Sequence, residues 1–279
     1  MNYYLIYKGT GGLIHMLLGL VYCINFCIKF KNILIIDVIS HKCFKHYLSD
    51  FFILNCPKSE FELTYSEDYN IIESGITFNK KSMDYIKNYP DVEYNIVPNT
   101  VYKYQIDNIN IRKKLSMDNA KVKIKIFAGP GSYGGPKFNL ILKYIKVKPE
   151  ILNIIKDYPI IQNYIGVHYR NTDIKNNINI IINNISKYKY NNIYLATDDS
   201  TAYDKIKAAF PNHNIYQYTK PINSNGQPIH YKYDDKYKLV LNLLIDLYFL
   251  YNSNEFINSE GSLVSKFVLS MRNENKSIF

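Results

Sequence analysis

The sequence predicts an α/β protein of two parallel-sheet units in tandem, and three observations carry that prediction. Its first 38 residues read strand, glycine turn, helix, strand. From residue 164 onward, short apolar stretches alternate with helical patterns, the order that gives a parallel sheet with helices on both faces. Between them Ile165-Gly166-Val167-His168-Tyr169-Arg170-Asn171-Thr172-Asp173 passes from an apolar stretch straight into His, Arg and Asp. Polar groups that arrive where a parallel strand ends mark the edge at which open α/β sheets bind ligands.

The opening elements are a strand at Tyr3–Tyr7, a tight turn at Gly9-Thr10-Gly11-Gly12, a helix over Leu13–Phe30 and an apolar strand at Ile33–Val38 that carries Asp37. Glycines at a helix start let the backbone approach a neighbour or a ligand. The dinucleotide spacing G-x-G-x-x-G is not met, and both a plain turn and a ligand contact fit. Gly11 to Phe30 is apolar enough to imitate a signal anchor, but His15 and Asn25 interrupt it. A strand, turn and helix fit it better than a bilayer span.

Residues 40–125 predict strands and short helices that complete the first unit. Ala128-Gly129-Pro130-Gly131-Ser132-Tyr133-Gly134-Gly135-Pro136 is a loop, because no regular element runs through it. Glu150–Tyr158 is an amphipathic helix behind Lys148-Pro149, which puts the domain boundary near residue 146. Strands follow at Tyr164–Tyr169, Asn192–Ala196, Asn214–Gln217 and Glu255–Asn258. The helices between them are expected at 175–187, Thr201–Phe210 with Ser200 as cap, Asp235–Tyr251 and Leu263–Arg272.

With 279 residues, 47% of them hydrophobic, the chain can bury a full core. The formal charge of +10 admits nucleic acid, an anionic surface or a phosphorylated small molecule as partner. Lysines are scattered without a dense basic stripe, which argues against nucleic acid. Tyr, Asn, Ile and Lys have AT-rich codons, so their abundance fits an AT-rich viral or protist source as well as a fold. Cys23, Cys27, Cys43 and Cys56 form no Cys-x-x-Cys pair, and His41, Cys43, His46 and Cys56 match no zinc-module spacing. Reduced thiols, no metal and a cytoplasmic location are the expectations.

Three strand ends in the second half carry the chemistry: His168, Arg170 and Asp173; Asp198 and Asp199; Ser259, Gly261 and Ser262. In a parallel sheet these ends share one edge. An Arg fork, a Ser-Gly-Ser turn and a helix N-terminus make a cradle for a pyrophosphate. The carboxylates fit sugar hydroxyls or the N–H edge of guanine, and equally fit helix capping. Arg170 fits a surface ion pair as well. Asp246, inside the apolar run Leu239–Leu250, is either a partnered buried carboxylate or a residue on an exposed stripe.

From about Tyr144 to Arg272 these blocks together resemble the fucosyltransferase family of the core α1,6-fucosyltransferases and the rhizobial nodulation fucosyltransferase. His168-Tyr169-Arg170-Asn171-Thr172-Asp173 stands where that family has His-x-Arg-Arg-Thr-Asp after a strand. Leu195-Ala196-Thr197-Asp198-Asp199 matches its second block, Asp246 ahead of Phe249-Leu250 its helix, and Ser259 to Ser265 its serine-rich turn. Tyr231 and its neighbours resemble the segment before that helix, and Gly11-Gly12-Leu13 with Ile35-Ile36-Asp37 is similar to its first Rossmann unit.

The resemblance implies a GT-B type glycosyltransferase whose two Rossmann-like domains face each other across a cleft. Residues 1–146 would form the acceptor side and 147–279 the GDP-sugar-binding side. GDP-fucose would be the donor substrate, without metal or other cofactor. Arg170 would hold the β-phosphate, His168 the nucleotide and Asp246 guanine, while Ser262 with the Ser259–Gly261 turn would take the pyrophosphate. Asp198 and Asp199 belong to the second block without individual contacts. Fucose would pass, with inversion, to a hydroxyl of a glycan or glycoconjugate, and the base would be His15, Asp37 or Asp173.

The sequence departs from the family pattern at Asn171, where a second Arg is expected, and at Ile174, where a Lys is expected beside Lys175. No Glu or Asp occurs from 174 to 197, where the family's acidic residue would lie. Those departures keep two rivals open: a GDP-sugar- or glycan-binding pseudoenzyme, and a GT-B transferase for another GDP-sugar.

Overall fold

A computed structural model of the chain describes residues 3–7, 11–30, 33–36, 38, 44–55, 63–65, 123–127, 136–221 and 234–279. The chain divides into two compact units, Met1–Ile145 and Lys146–Phe279. Unit 1 contains β1 (Tyr3–Tyr7), α1 (Leu13–Phe30), β2 (Ile33–Ile36), β3 (Phe52–Leu54), β4 (Leu63–Tyr65), β5 (Lys123–Phe127) and α2 (Phe138–Tyr144), and β6 (Ile145–Val147) follows at the division. Its sheet runs β4-β2-β1-β5, and every pair is parallel. Because β1 and β2 are parallel, α1 is the crossover between them. That helix is apolar nearly all round: Met16, Leu17, Leu20 and Ile24 are fully buried, and only toward its end does Asn25 reach solvent. Among the described residues no helix is long and apolar enough to cross a membrane.

Unit 2 consists of α3 (Pro149–Lys156), β7 (Tyr164–Tyr169), α4 (Ile178–Ile185), β8 (Asn192–Thr197), α5 (Ala202–Ala209), β9 (Asn214–Tyr216), α6 (Lys236–Asn252), β10 (Glu255–Ile257) and α7 (Leu263–Glu274). The strands lie in the order β10-β7-β8-β9, all parallel. Pro149 starts α3 at the position where a missing N–H costs nothing. The Asp235 carboxylate accepts from the Lys238 N–H at 2.9 Å and starts α6. Helix α4 is poor in intrinsic helix formers, and it forms because Asn177 caps it and Ile181 and Ile185, one turn apart, are buried against the sheet.

Strand alternation sorts the two faces. Ile165, Val167 and Tyr169 of β7 pack with Ile193 and Leu195 of β8 against α4 and α5. Each such aliphatic side chain contributes about 1.5–3 kcal/mol on burial. The alternate residues meet α6: Tyr164 donates to the Phe249 carbonyl at 2.7 Å, and Tyr194 stacks on Phe249 at 4.9 Å. Gly166 lies under the end of α6, where a Cβ would come within 2.7 Å of Ser253 Oγ. That contact fixes glycine in the middle of the strand.

Candidate functional site

The ends of β7, β8 and β10 are neighbours in register, with Tyr169 beside Thr197 and Val167 beside Ile257. The segments that leave them are tied together by side chains. The Arg170 N–H donates to Ser259 Oγ at 2.8 Å, and that hydroxyl donates to the His168 carbonyl at 3.0 Å. On the other flank the Asn171 N–H and the Thr172 hydroxyl donate to the two oxygens of Asp198, at 2.7 and 2.6 Å. Asp199 accepts from Asn171 Nδ2 at 2.8 Å, and from the N–H and hydroxyl of Thr201, each at 2.8 Å. Asp199 rather than Ser200 therefore closes the start of α5. Thr201 occupies the cap position without using its own side chain there, and Ser200 is exposed.

Asp198 thus accepts from the loop that carries Arg170, and Asp199 joins that loop to Thr201. Both help to shape the loop. Burial raises the Asp198 carboxyl above its usual range, although hydrogen bonds from Thr172 and Asn171 and the Arg170 charge work against it. Arg170 keeps 22% of its side chain exposed. Its Nε and Nη2 donate to Asp173 Oδ1 at 3.0 and 2.6 Å, and Nη1 has no partner among the described residues. Burial pushes Asp173 up, but the hydrogen bonds and charge of Arg170, with Thr172, outweigh it and hold the carboxyl below its usual range. Paired in this way, Asp173 is a weak base.

The turn between β10 and α7 is built differently. Gly261 has φ 75°, a left-handed conformation that turns the chain into the helix. Ser262 is the N-cap of α7, fully buried, yet its hydroxyl makes no cap bond and has no partner among the described residues. No acidic residue lies in the first turn, so no carboxylate within the helix offsets the positive end of its twelve residues. His168 Nδ1 lies 2.7 Å from Ser265 Oγ in that first turn. Burial, with the nearby Arg170 charge, lowers the His168 pKa to about 3 and keeps the ring neutral.

The expected residues do not all gather here. His168, Arg170, Asp173, Asp198, Asp199, Ser259, Gly261 and Ser262 share the edge. Asp246 projects from α6 to the α6 face of the sheet, where Tyr194 donates to it at 2.7 Å and Thr219 at 2.8 and 3.0 Å. Tyr194 precedes Thr197 by three residues, so this carboxylate sits about 10 Å below the edge, measured along the strand. Asp246 is half-buried, and desolvation raises its pKa to about 7 against the opposing hydrogen bonds. His15 belongs to unit 1, where its ring packs over Gly11. Asp37 and Tyr231 lie outside the described residues, as do His41, Cys43 and Cys56. Among the described residues no cluster of His, Cys, Asp and Glu is arranged to hold a metal ion. Sequence reasoning assigned no role to Thr172, Asn171, Tyr194, Thr219 or Ser265. Asn171 and Thr172 had a signal in the block after β7 and Ser265 in the serine-rich turn, while Tyr194 and Thr219 had none.

No family model and no curated protein matches the sequence. Solved structures do match the fold. The fucosyltransferase NodZ from Bradyrhizobium superposes with a TM-score of 0.59 at 16% identity, covering 96% of this chain and 92% of that one. The NodZ α-1,6-fucosyltransferase co-crystallized with GDP gives 0.56 at 16% identity, with coverage of 96% and 92%. POFUT1 in complex with GDP-fucose gives 0.55 at 9% identity, again covering 96% and 92%. The chain has the GT-B α/β fold of these fucosyltransferases.

Proposed function

We propose that the protein is a glycosyltransferase that moves fucose from GDP-fucose to a hydroxyl of a glycan acceptor, with inversion and without a metal. One observation carries the reading. An unpartnered, buried Ser262 hydroxyl and the bare N-terminus of α7 sit on a turn that is hydrogen-bonded to the backbone of Arg170. An anionic group with many acceptors suits the helix start and Arg170, and takes the Ser262 hydroxyl once binding uncovers it. The fold neighbours NodZ, crystallized with GDP, and POFUT1, with GDP-fucose, support a guanosine diphosphate as that group.

In the proposed step the acceptor oxygen attacks the anomeric carbon while the bond to the β-phosphate oxygen breaks on the opposite side. Arg170 and the start of α7 hold the negative charge that grows on departing GDP. Preorganised groups of this kind are worth about 3–4 kcal/mol each. Arg170 must first leave Asp173, and a part-exposed ion pair holds it with only about 0–1 kcal/mol. A panel of nucleotide sugars with glycan acceptors, scored by nucleotide released, tests the reading. GDP-fucose should be turned over fastest, and equal rates with UDP-sugars would sink it.

One feature favours a second reading, a GDP-sugar-binding protein without turnover. Asp173 is paired with Arg170, and no carboxylate occurs from 174 to 197 to serve as base. Tight GDP binding by calorimetry, with no GDP released from GDP-fucose in the presence of any acceptor, would select it.

A further inference from the structure

We propose that Ser265 fixes the tautomer of His168, so that Nε2 carries the ring hydrogen and donates it to an acceptor on a bound nucleoside diphosphate. The ligand half of this inference rests on the donor reading above; the tautomer half does not.

Ser265 is 1% exposed, in the first turn of α7. Two groups approach its hydroxyl: the Ser259 N–H at 3.1 Å and His168 Nδ1 at 2.7 Å. The Ser259 N–H is a donor, so Ser265 Oγ accepts there. A hydroxyl has one hydrogen of its own to give. Among the described residues the one acceptor in reach is His168 Nδ1. With that hydrogen directed at Nδ1, the neutral imidazole carries its own on Nε2. The opposite assignment, Nδ1–H donating to Oγ, strands the serine hydrogen in a buried place without an acceptor, which folded proteins avoid.

Nε2 itself has no partner among the described residues, and His168 is 9% exposed. In the proposed arrangement it is the neutral donor that the ligand takes up. Ser259 completes the arrangement, because it joins Ser265 through its N–H and holds the His168 carbonyl and the Arg170 N–H with its hydroxyl. Two serines of one turn thus orient the ring donor and the neighbouring cation together. Ser265 is a positioning residue acting through His168.

The test is a nitrogen-15 NMR spectrum of the native protein with labelled histidines, with His168 identified by the signal lost in His168→Gln. The expected pattern has Nε2 protonated and Nδ1 bare. In Ser265→Ala the Nδ1-protonated form should appear, and the GDP dissociation constant should rise about five- to tenfold. Ser265→Thr keeps the hydroxyl and should restore both readouts, which a purely packing role would not. An Nδ1-protonated ring in the native protein would overturn the proposal, whether or not Ser265→Ala folds. So would a Ser265→Ala protein with the native nitrogen pattern and native GDP affinity. If the native protein bound no GDP, the donor reading would fall, and the spectrum would still decide what Ser265 does to His168.

Discussion

The loop after β7 and the turn after β10 flank the same strand end, yet they treat their polar groups differently. In the loop, Asp198 and Asp199 receive five hydrogen bonds from Asn171, Thr172 and Thr201, so every carboxylate oxygen already has a partner. In the turn, Ser262 Oγ is buried without a partner among the described residues, and the first turn of α7 holds no acidic residue. The first arrangement holds a shape, and the second leaves a donor that the proposed anion would take. Partnered carboxylates at a sheet edge thus have a structural role, whereas an unsatisfied buried donor asks for a ligand.

Arg170 belongs to both sides, and removing it should have the largest effect. Arg170→Ala should lower the turnover rate by about 10²–10³-fold, as loss of a preorganised charge stabiliser does. Arg170→Lys should fail nearly as badly, because a point charge lacks the two-pronged geometry for phosphate. GDP release measures both, and a lysine variant near the native rate would break the assignment. Neither change should unfold the protein, since the Arg170 side chain bonds chiefly to a part-exposed carboxylate.

The filled side should show itself in stability. Asp198→Ala strands the Asn171 N–H and the Thr172 hydroxyl and should cost about 2–3 kcal/mol, read as a fall in the urea midpoint. Asp198→Asn keeps one acceptor oxygen and should cost roughly half as much. If Asp198→Ala instead lost GDP affinity at unchanged stability, the carboxylate would be a ligand contact and the contrast would be wrong.

Asp246, below the edge, adds a pH signature. Its pKa is about 7 in the folded protein against 3.8 in the unfolded chain. Between those values the folded state keeps a proton that the unfolded state has released, so stability falls as pH rises from about 4 to 7 and levels off above. The full shift corresponds to about 4 kcal/mol, and the carboxylate's partial exposure makes about 2 kcal/mol the expected size. Urea midpoints of the native protein and Asp246→Asn across that range measure it. Parallel curves would mean that the carboxylate is ionised throughout.

Much of unit 2 was legible because each strand there ends in a polar or turn residue and each helix has a visible cap or stop. The β7 pattern runs unbroken from Tyr164 to Tyr169, and Asp235 announces α6. Helix α2 and strand β6 were not legible: seven and three residues are too short to show a period, and they adjoin without a loop. The site was legible in membership but less so in role. Ser259, Gly261 and Ser262 stand out as a turn before a helix. Nothing local tells that Asp198 closes on Asn171 and Thr172, because that bond joins positions 26 and 27 residues apart. Asp199 fits a cap and a ligand contact equally well in the sequence, and the Thr201 distances show its part at the start of α5.

Ser262→Ala should have the smallest effect and the most discriminating sign. Serine at an N-cap ordinarily stabilises a helix by about 0.5–2 kcal/mol. Here the hydroxyl makes no cap bond, so that loss does not arise. A buried hydroxyl without a partner is itself unfavourable by about 1–3 kcal/mol, and alanine removes it. The variant should be as stable as the native protein or more so, by up to about 1 kcal/mol in urea titrations. The hydroxyl is sealed from solvent, so the phosphate must uncover it on binding, and GDP affinity should then fall about fivefold as that hydrogen bond is lost. Strain kept at a site for the sake of a ligand predicts this opposite movement of stability and affinity. If both fell together, Ser262 would be a structural cap, and the open side of the edge would be no different from the filled one.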